Sequence, residues 1–181
     1  FDLQKELNIP LFAKRIAVVS SASAAGYGDF CNQLKHNEYG FCFEVELFAA
    51  TMQGEQVEQS IIEALNLINE REDDFDCVVI IRGGGATADL SGFDTLALAE
   101  NVANFPLPII TGIGHERDES ILDMVANTRV KTPTAAAAFL IEHLANTLYR
   151  IEQAQMKIHR AVERKLQEEK LHLQRLSTHI P

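Results

Sequence analysis

The sequence predicts an α/β fold, in which a mostly parallel sheet is flanked by helices and followed by a long C-terminal helix of coiled-coil character. Up to about residue 127, short β-branched runs alternate with segments of helical period, as in parallel sheets covered on both faces. After residue 134 there is no glycine, the last residue is the sole proline, and apolar residues recur at heptad spacing. We therefore expect an α/β domain over residues 1–133 and a long helix over residues 134–181.

Four strands are predicted, at residues 15–19, 41–48, 77–81 and 108–111. The third run is apolar throughout, which is typical of a strand buried on both faces of a sheet. The second run alternates apolar and polar residues, which places it nearer an edge of the sheet. Helical periodicity occupies the intervals, at residues 28–35, 57–68 and 92–102.

The long helix carries a stripe of mostly apolar residues that it cannot bury against itself. The stripe steps by four and three residues and changes phase once; its members are Leu144, Leu148, Ile151, Gln155, Ile158 and Val162, followed by Leu166, Leu173, Leu176 and Ile180. Such a stripe packs on the domain, on a partner or on a second copy of itself. The pattern favours a coiled-coil or bundle role, and self-association is one form of it.

Composition and charge limit the classes of function. A net charge of −10 counts against a protein that coats nucleic acid, because neutralising phosphates requires lysine and arginine. A local phosphate site stays compatible with that charge, since screening limits the reach of distant charges to about 10 Å. Three cysteines without metal-like spacing indicate reduced thiols and a cytoplasmic location. No apolar segment is long enough to cross a bilayer, so no membrane partner is expected.

Serines and glycines follow the first and third predicted strands, at the sheet edge where α/β proteins bind ligands. The third strand is followed by Arg82 and three glycines, and the first by serines and then Asp29. Glycine amides and the fork of an arginine side chain both suit phosphate. The residues predicted to bind phosphate or DNA are Ser20, Ser21, Ser23, Gly83, Gly84, Gly85 and Arg117. The alternative is a tight strand-to-helix turn without a ligand.

Known nucleotide-binding and hydrolase motifs fit the glycine loop poorly. A P-loop that starts at Gly83 requires glycine and lysine where this chain has Ala88 and Asp89. The dinucleotide fingerprint fits loosely, but no strand ends in an acidic residue about twenty positions later. The sequence also lacks the G-x-S-x-G elbow that presents a serine nucleophile.

His115 and Asp118 follow the fourth strand at a predicted helix start. A carboxylate beside an imidazole fixes its tautomer and favours its protonated form, which suits a general acid or base. The alternative is a capping box in which Glu116 or Asp118 satisfies first-turn amides. The predicted catalytic set at this edge is Asp29, Arg82, His115 and Asp118. Mg²⁺ is a possible cofactor, held by Asp29 and Asp118, because hard cations prefer carboxylate oxygens.

A long block of the sequence carries a family resemblance. It consists of Arg82-Gly83-Gly84-Gly85, Asp89-Leu90, Phe93-Asp94, Gly114-His115-Glu116-x-Asp118, Asp123, Ala126, Arg129 and Thr132-Pro133-Thr134-Ala135-Ala136-Ala137. In order and spacing this block resembles the large subunit of exodeoxyribonuclease VII, and the start of the chain is similar more weakly. The stretch at residues 20–26 lacks the proline of the family's usual Thr-Ser-Pro-Thr-Gly-Ala-Ala, and Arg117 stands where the family usually has threonine.

The resemblance implies an enzyme that hydrolyses single-stranded DNA from both the 5′ and 3′ ends to oligonucleotides and 5′-phosphomononucleotides. It implies functional roles for Asp29, Arg82, His115 and Asp118, and it leaves the need for Mg²⁺ open. It further implies that residues 134–181 start a helical arm that recruits several copies of a small subunit. The family's N-terminal OB-fold domain has no counterpart in these residues. Without the resemblance, the same residues fit a phosphometabolite-binding α/β enzyme or a scaffold domain.

Overall fold

The computed structural model describes residues 2–83, 90–114 and 119–180. The chain forms two compact units, one from Phe1 to Leu144 and one from Ala145 to Pro181. The first unit is an α/β domain, and the second consists of the remainder of a long helix and the residues that follow it. The sequence predicts an earlier boundary, between residues 133 and 134. That division into a catalytic domain and a helical arm stays a prediction.

The described part of the first unit contains a sheet of five parallel strands in the order β2-β1-β3-β4-β5. The strands are β1 (Arg15–Ser20), β2 (Glu44–Ala49), β3 (Cys77–Ile81), β4 (Ile109–Gly112) and β5 (Thr128–Arg129). Val19 lies opposite both Phe48 and Ile80, and Ile81 lies opposite Gly112. This architecture confirms the predicted fold class. The sequence did not predict β5, because two residues are too few to show a period.

The positions of β2 and β3 follow from their sequence patterns. All five side chains of β3 are buried, which explains why its sequence is apolar without alternation. In β2 only Phe48 is buried, while Glu44 and Glu46 are exposed. The structure therefore confirms β2 as an edge strand. It begins at Glu44 rather than at residue 41, because the backbone of Phe41 bonds to the side chain of Asn37 instead.

The helices are α1 (Leu3–Glu6), α2 (Ala25–Lys35), α3 (Val57–Asn69), α4 (Leu96–Ala103), α5 (Ile121–Val125) and α6 (Pro133–Ser177). Alternate strand residues divide the core into two faces. Residues from α3, α4 and α5 pack on one face with Val19 and Ile80. Residues from α2 and the first turns of α6 pack on the other face with Val18 and Ile81. Helices thus cover the sheet on both sides, as the parallel pattern predicted.

The predicted helix at residues 92–102 is two elements. A single 3₁₀ turn spans Ser91–Phe93, and α4 begins only at Leu96. The break is explained by Thr95, whose hydroxyl accepts a hydrogen bond from the Leu98 amide at 3.4 Å and so starts a new helix. Phe93 is fully buried although it lies before α4, and this is why its position fitted the apolar period of the predicted helix.

The second unit carries the predicted heptad stripe on the continuation of α6. The stripe residues that the structure describes there expose large apolar side chains: Leu148, Ile151, Ile158, Val162, Leu166, Leu173, Leu176 and, past the helix end, Ile180. A contact between His159 and Glu163 and an ion pair between Lys165 and Glu169, both at i,i+4 spacing, lie along the helix. Among the described residues, no helix has the length and apolarity that a membrane span requires.

Candidate active site

A cleft lies outside the carboxyl ends of β1, β2 and β3. Strand order reverses between β1 and β3, since β2 lies on one side of β1 and the later strands on the other. Ligands of open α/β sheets bind in the crevice at such a reversal. The cleft has a volume of about 400 Å³. Its lining residues come from the segments after the three strands: Ser21, Ser23, Ala24, Ala25, Ala50, Thr51, Met52, Gln53, Arg82 and Gly83.

Arg82 is the cationic residue of this lining. Its side chain is only 5% exposed, and its Nε has no hydrogen-bond acceptor among the residues that the structure describes. Its backbone amide donates to the Gly112 carbonyl at 3.2 Å, which extends the pairing of β3 with β4 and fixes the residue at the sheet edge. A buried guanidinium nitrogen without an acceptor is energetically costly. An anionic ligand in the cleft would supply the missing acceptor.

The N-terminus of α2 faces the same cleft. Its N-cap residue is Ala24, so no side chain caps the helix, and Ala24 and Ala25 both line the cleft. Unsatisfied first-turn amides and the helix dipole favour an anion at this position. Ser21 and Ser23 lie on the same wall with their hydroxyl oxygens 3.2 Å apart. Two independent features that favour anions, an arginine and a helix terminus, therefore line the same cleft.

Close backbone packing brings these parts together. A Cβ on Gly26 of α2 would lie 2.8 Å from the Cα of Gly83 and 2.9 Å from Cγ of Pro133, the first residue of α6. Glycine at position 26 is therefore required for α2, the segment after β3 and the start of α6 to meet.

The next residue along α2, Tyr27, is unsuited to acid–base work near neutral pH, because burial and the neighbouring Cys31 raise its pKa to about 12.

The structure brings together part of the predicted site. Ser21, Ser23, Arg82 and Gly83 line the cleft. Ser20 does not; it is the fully buried last residue of β1, and its hydroxyl has no partner among the described residues. Asp29 lies in the second turn of α2 with its side chain exposed, away from the cleft lining. The remaining predicted residues lie outside the described ranges: Gly84, Gly85, His115, Arg117 and Asp118.

The predicted metal site is not formed by the described residues alone. Within residues 2–83, 90–114 and 119–180, no group of three or more His, Cys, Asp or Glu side chains could hold a metal ion. Of the carboxylates proposed as ligands, Asp29 is described and exposed, and Asp118 is outside the described ranges. A Mg²⁺ site at Asp29 and Asp118 stays a prediction.

A buried network around Asp123 was missed by the sequence analysis. Thr111 in β4 donates from its hydroxyl to Asp123 Oδ1 at 2.7 Å, and the Ser120 hydroxyl lies 2.8 Å from Asp123 Oδ2. Ser120 and Asp123 also form a reciprocal capping box at the start of α5. The sequence analysis gave this capping role to Glu116 or Asp118 as an alternative to catalysis, whereas Ser120 and Asp123 cap α5. Helix α5 begins at Ile121, after the predicted helix start. The Ser-x-x-Asp spacing was the available signal.

Comparisons with known proteins agree with the resemblance. The family model for exonuclease VII, large subunit, matches residues 1–181. A relative from Nostoc sp., named exodeoxyribonuclease 7 large subunit, is 38% identical over 162 residues, which cover 90% of this chain and 39% of the relative. One of the same name from Brevibacillus brevis is 34% identical over 176 residues, covering 97% of this chain and 38% of the relative.

The chain thus spans about two fifths of the length of these curated relatives, 39% and 38%. Among solved structures, the Francisella novicida lysine decarboxylase LdcF matches 78% of the chain with a TM-score of 0.43 and 14% identity, a likeness too weak to carry an argument. The family model covers every residue, and both relatives exceed 30% identity. This chain belongs to the exonuclease VII large-subunit family.

Proposed function

We propose that this chain is the catalytic part of an exodeoxyribonuclease VII large subunit. It hydrolyses phosphodiester bonds of single-stranded DNA from both 5′ and 3′ ends, giving oligonucleotides and 5′-phosphomononucleotides. Family membership and the names of the relatives support the reaction. The structural observation that carries the proposal is the buried Arg82 guanidinium, whose Nε lacks an acceptor among the described residues, beside the uncapped N-terminus of α2.

The cleft residues have distinct roles in this proposal. Arg82 and the first-turn amides of α2 hold the scissile phosphate and stabilise the negative charge that develops on it during hydrolysis. Ser21 and Ser23 donate hydroxyl hydrogen bonds to the same oxygens. Gly83 supplies close packing against Gly26, and Gly84 and Gly85 are proposed to supply further amides.

The proton transfers are assigned to the segment that follows β4. His115 acts as the general base or acid, and Asp118 orients its imidazole. Asp29 is proposed to position the attacking water or the leaving 3′-oxygen, and this role is supported by the family resemblance alone. If Mg²⁺ takes part, Asp29 and Asp118 would hold it, and it would polarise a phosphate oxygen. Arg117 adds a second cation for the DNA backbone.

The proposed partners are single-stranded DNA and several copies of the exodeoxyribonuclease VII small subunit on the helical arm. Exposed apolar side chains along the second unit support the arm, because they require a covering partner. Self-association through the same stripe is a further proposal. A cytoplasmic location is supported by three free cysteines, Cys31, Cys42 and Cys77. Family membership does not favour the alternatives of a phosphometabolite enzyme or a scaffold.

The test uses the full-length large subunit purified with its small subunit. End-labelled single-stranded and duplex DNA are incubated with it, in Mg²⁺ or in EDTA. We expect cleavage of single strands only, and a loss of roughly 100-fold or more in kcat for Arg82→Ala and His115→Ala. Arg71→Ala is the matched control, because Arg71 is an exposed arginine already paired with Glu46 and Asp74. Unchanged cleavage by Arg82→Ala would overturn the assigned site.

A further inference from the structure

We infer that Asp123 is a positioning residue that clamps together the two ends of the segment carrying His115 and Asp118. The inference rests on the proposed function, in which these two residues perform the proton transfers. Asp123 itself is not proposed to contact DNA or the reacting atoms. It acts by fixing where the segment leaves β4 and where it enters α5.

The clamp consists of one buried carboxylate with one oxygen for each end. Oδ1 accepts from the Thr111 hydroxyl at 2.7 Å, just before the segment begins. Oδ2 accepts from the Ser120 amide at 3.2 Å and bonds the Ser120 hydroxyl at 2.8 Å, just after it ends. Thr111 and Ser120 are fully buried, and Asp123 is 9% exposed. Water therefore competes weakly for these hydrogen bonds.

Helix capping explains only half of this arrangement. The capping box of α5 uses Oδ2 and the Ser120 hydroxyl, and a serine alone satisfies an N-terminal amide of a five-residue helix. The bond from Thr111 to Oδ1 adds nothing to the cap. It instead ties the first turn of α5 to strand β4, which is paired with the strand that presents Arg82.

Neighbouring contacts hold the same two ends. Gly114 has φ +77°, and a Cβ there would lie 3.1 Å from the Lys131 carbonyl oxygen, so the backbone passes close to the chain before α6. At the far end, Asp94 Oδ1 accepts from the Ile121 amide at 2.8 Å, and Glu119 forms an ion pair with Arg129. Each of these contacts holds one end, whereas the Asp123 carboxylate joins both.

A fixed separation of the ends matters because acid–base catalysis is sensitive to placement. An error of about 1 Å in a catalytic group can lower a rate about 100-fold. The chain between Thr111 and Ser120 is short, so by connectivity alone a shift of either end would displace the residues between them, among which are His115 and Asp118. Loss of the clamp should therefore reduce the chemical step more than DNA binding, which depends on Arg82 and α2.

The variants separate the two halves of the clamp. Thr111→Val removes the β4 link and preserves shape and the α5 cap. Asp123→Ala removes both links. Asp123→Asn retains a carbonyl acceptor for Ser120, and its amide can donate to the Thr111 hydroxyl, so it should restore most activity. We expect kcat to fall about 10- to 100-fold for Thr111→Val and Asp123→Ala, with KM for single-stranded DNA within about twofold.

Gln4→Leu is the matched structural control. Gln4 is fully buried and bonds the Phe105 and Leu107 carbonyls and the Ile109 amide, at the opposite end of the same strand β4. This variant should lower the melting temperature as much as the Asp123 variants and leave kcat unchanged. All assays use full-length large subunit with small subunit, well below the melting temperatures.

The outcomes separate this inference from the function on which it rests. A parent enzyme that fails to cut single-stranded DNA overturns both. A second outcome would leave the function standing and overturn the clamp. In that outcome the parent cuts, Arg82→Ala is inactive, and Thr111→Val and Asp123→Ala have the same kcat as Gln4→Leu. Equal losses in Asp123→Asn and Asp123→Ala would also contradict it, since the amide can rebuild both bonds.

Discussion

The two edges of the sheet use polar side chains in opposite ways. At the amino edge, the Arg15 guanidinium donates to Asp76 Oδ1 at 2.8 Å, and Arg71 donates to both oxygens of Glu46 at 2.7 and 3.0 Å. At the carboxyl edge, the Arg82 Nε is buried and has no acceptor among the described residues. The two exposed arginines at the amino edge, Arg15 and Arg71, are paired with carboxylates, whereas the buried Arg82 lacks an acceptor at Nε among the described residues.

This difference distinguishes structural from functional charge. Exposed ion pairs contribute little to stability, and their arginines are replaceable. A buried guanidinium nitrogen without an acceptor destabilises the fold, and an anionic ligand at that nitrogen would remove the penalty. The residue type alone would not separate Arg71 from Arg82. The pattern of hydrogen bonds does, and it points to the edge where the helix N-terminus of α2 is also uncapped.

The largest expected effect that tests this comparison is a change in the free energy of unfolding when Arg82 is replaced. Arg82→Met retains the apolar part of the side chain and removes the buried charge. We expect it to raise the free energy of unfolding by about 1–4 kcal/mol while abolishing cleavage. Arg71→Met at the amino edge should lower stability by less than about 1 kcal/mol and leave cleavage intact. Chemical denaturation of both variants measures this, and a destabilised Arg82→Met would show that the charge is satisfied within the chain.

The edges also differ in how closely their backbones pack. At the amino edge, a Cβ on Gly40 would meet nothing within 4 Å, whereas one on Gly26 would lie 2.8 Å from the Gly83 backbone. Gly26→Ala should therefore destabilise the protein by about 1–3 kcal/mol and lower cleavage, because α2 must move away from the cleft. Melting curves and cleavage rates test both parts.

Gly28→Ala is the matched control for Gly26→Ala. Both glycines lie in α2, but a Cβ on Gly28 would meet nothing within 4 Å. Alanine there should stabilise the helix by up to about 1 kcal/mol and leave activity unchanged. Equal behaviour of the two variants would show that the close approach of Gly26 to Gly83 has no role in forming the cleft.

The sequence predicted the elements of the fold better than the contacts of the site. Residues 77–81 are apolar without interruption, so β3 was predictable. The environment of Arg82 was not, because it depends on which carboxylates the fold brings near. Asp29 was assigned to the site from its position after β1, and its role stays a prediction. Gly26, Phe30 and Leu34 form the buried face of α2, so the side chain of Asp29 is exposed. The link from Thr111 to Asp123 joins a strand to the next helix, which no local pattern encodes.

The smallest expected effect concerns pH and the amino edge. Burial tends to raise the pKa of Asp76, but hydrogen bonds from the Arg15 side chain and from the Arg15 and Lys14 amides outweigh it and hold the pKa below its usual value. A carboxyl with a lowered folded pKa stabilises the protein above its unfolded pKa of about 4. That contribution disappears as pH falls further, through the folded pKa.

Asp76→Asn should therefore lower stability slightly at pH 7 and make the loss of stability below about pH 4 less steep. Asp73→Asn is the control, because the Arg15 side chain bonds the carbonyl oxygen of Asp73, which asparagine retains. Denaturant titrations from pH 7 to pH 3 measure both. Parallel pH profiles for the parent protein and Asp76→Asn would contradict this pairing. They would mean that the hydrogen bonds of Asp76 contribute no measurable stability, so hydrogen bonding would not distinguish the amino edge from Arg82.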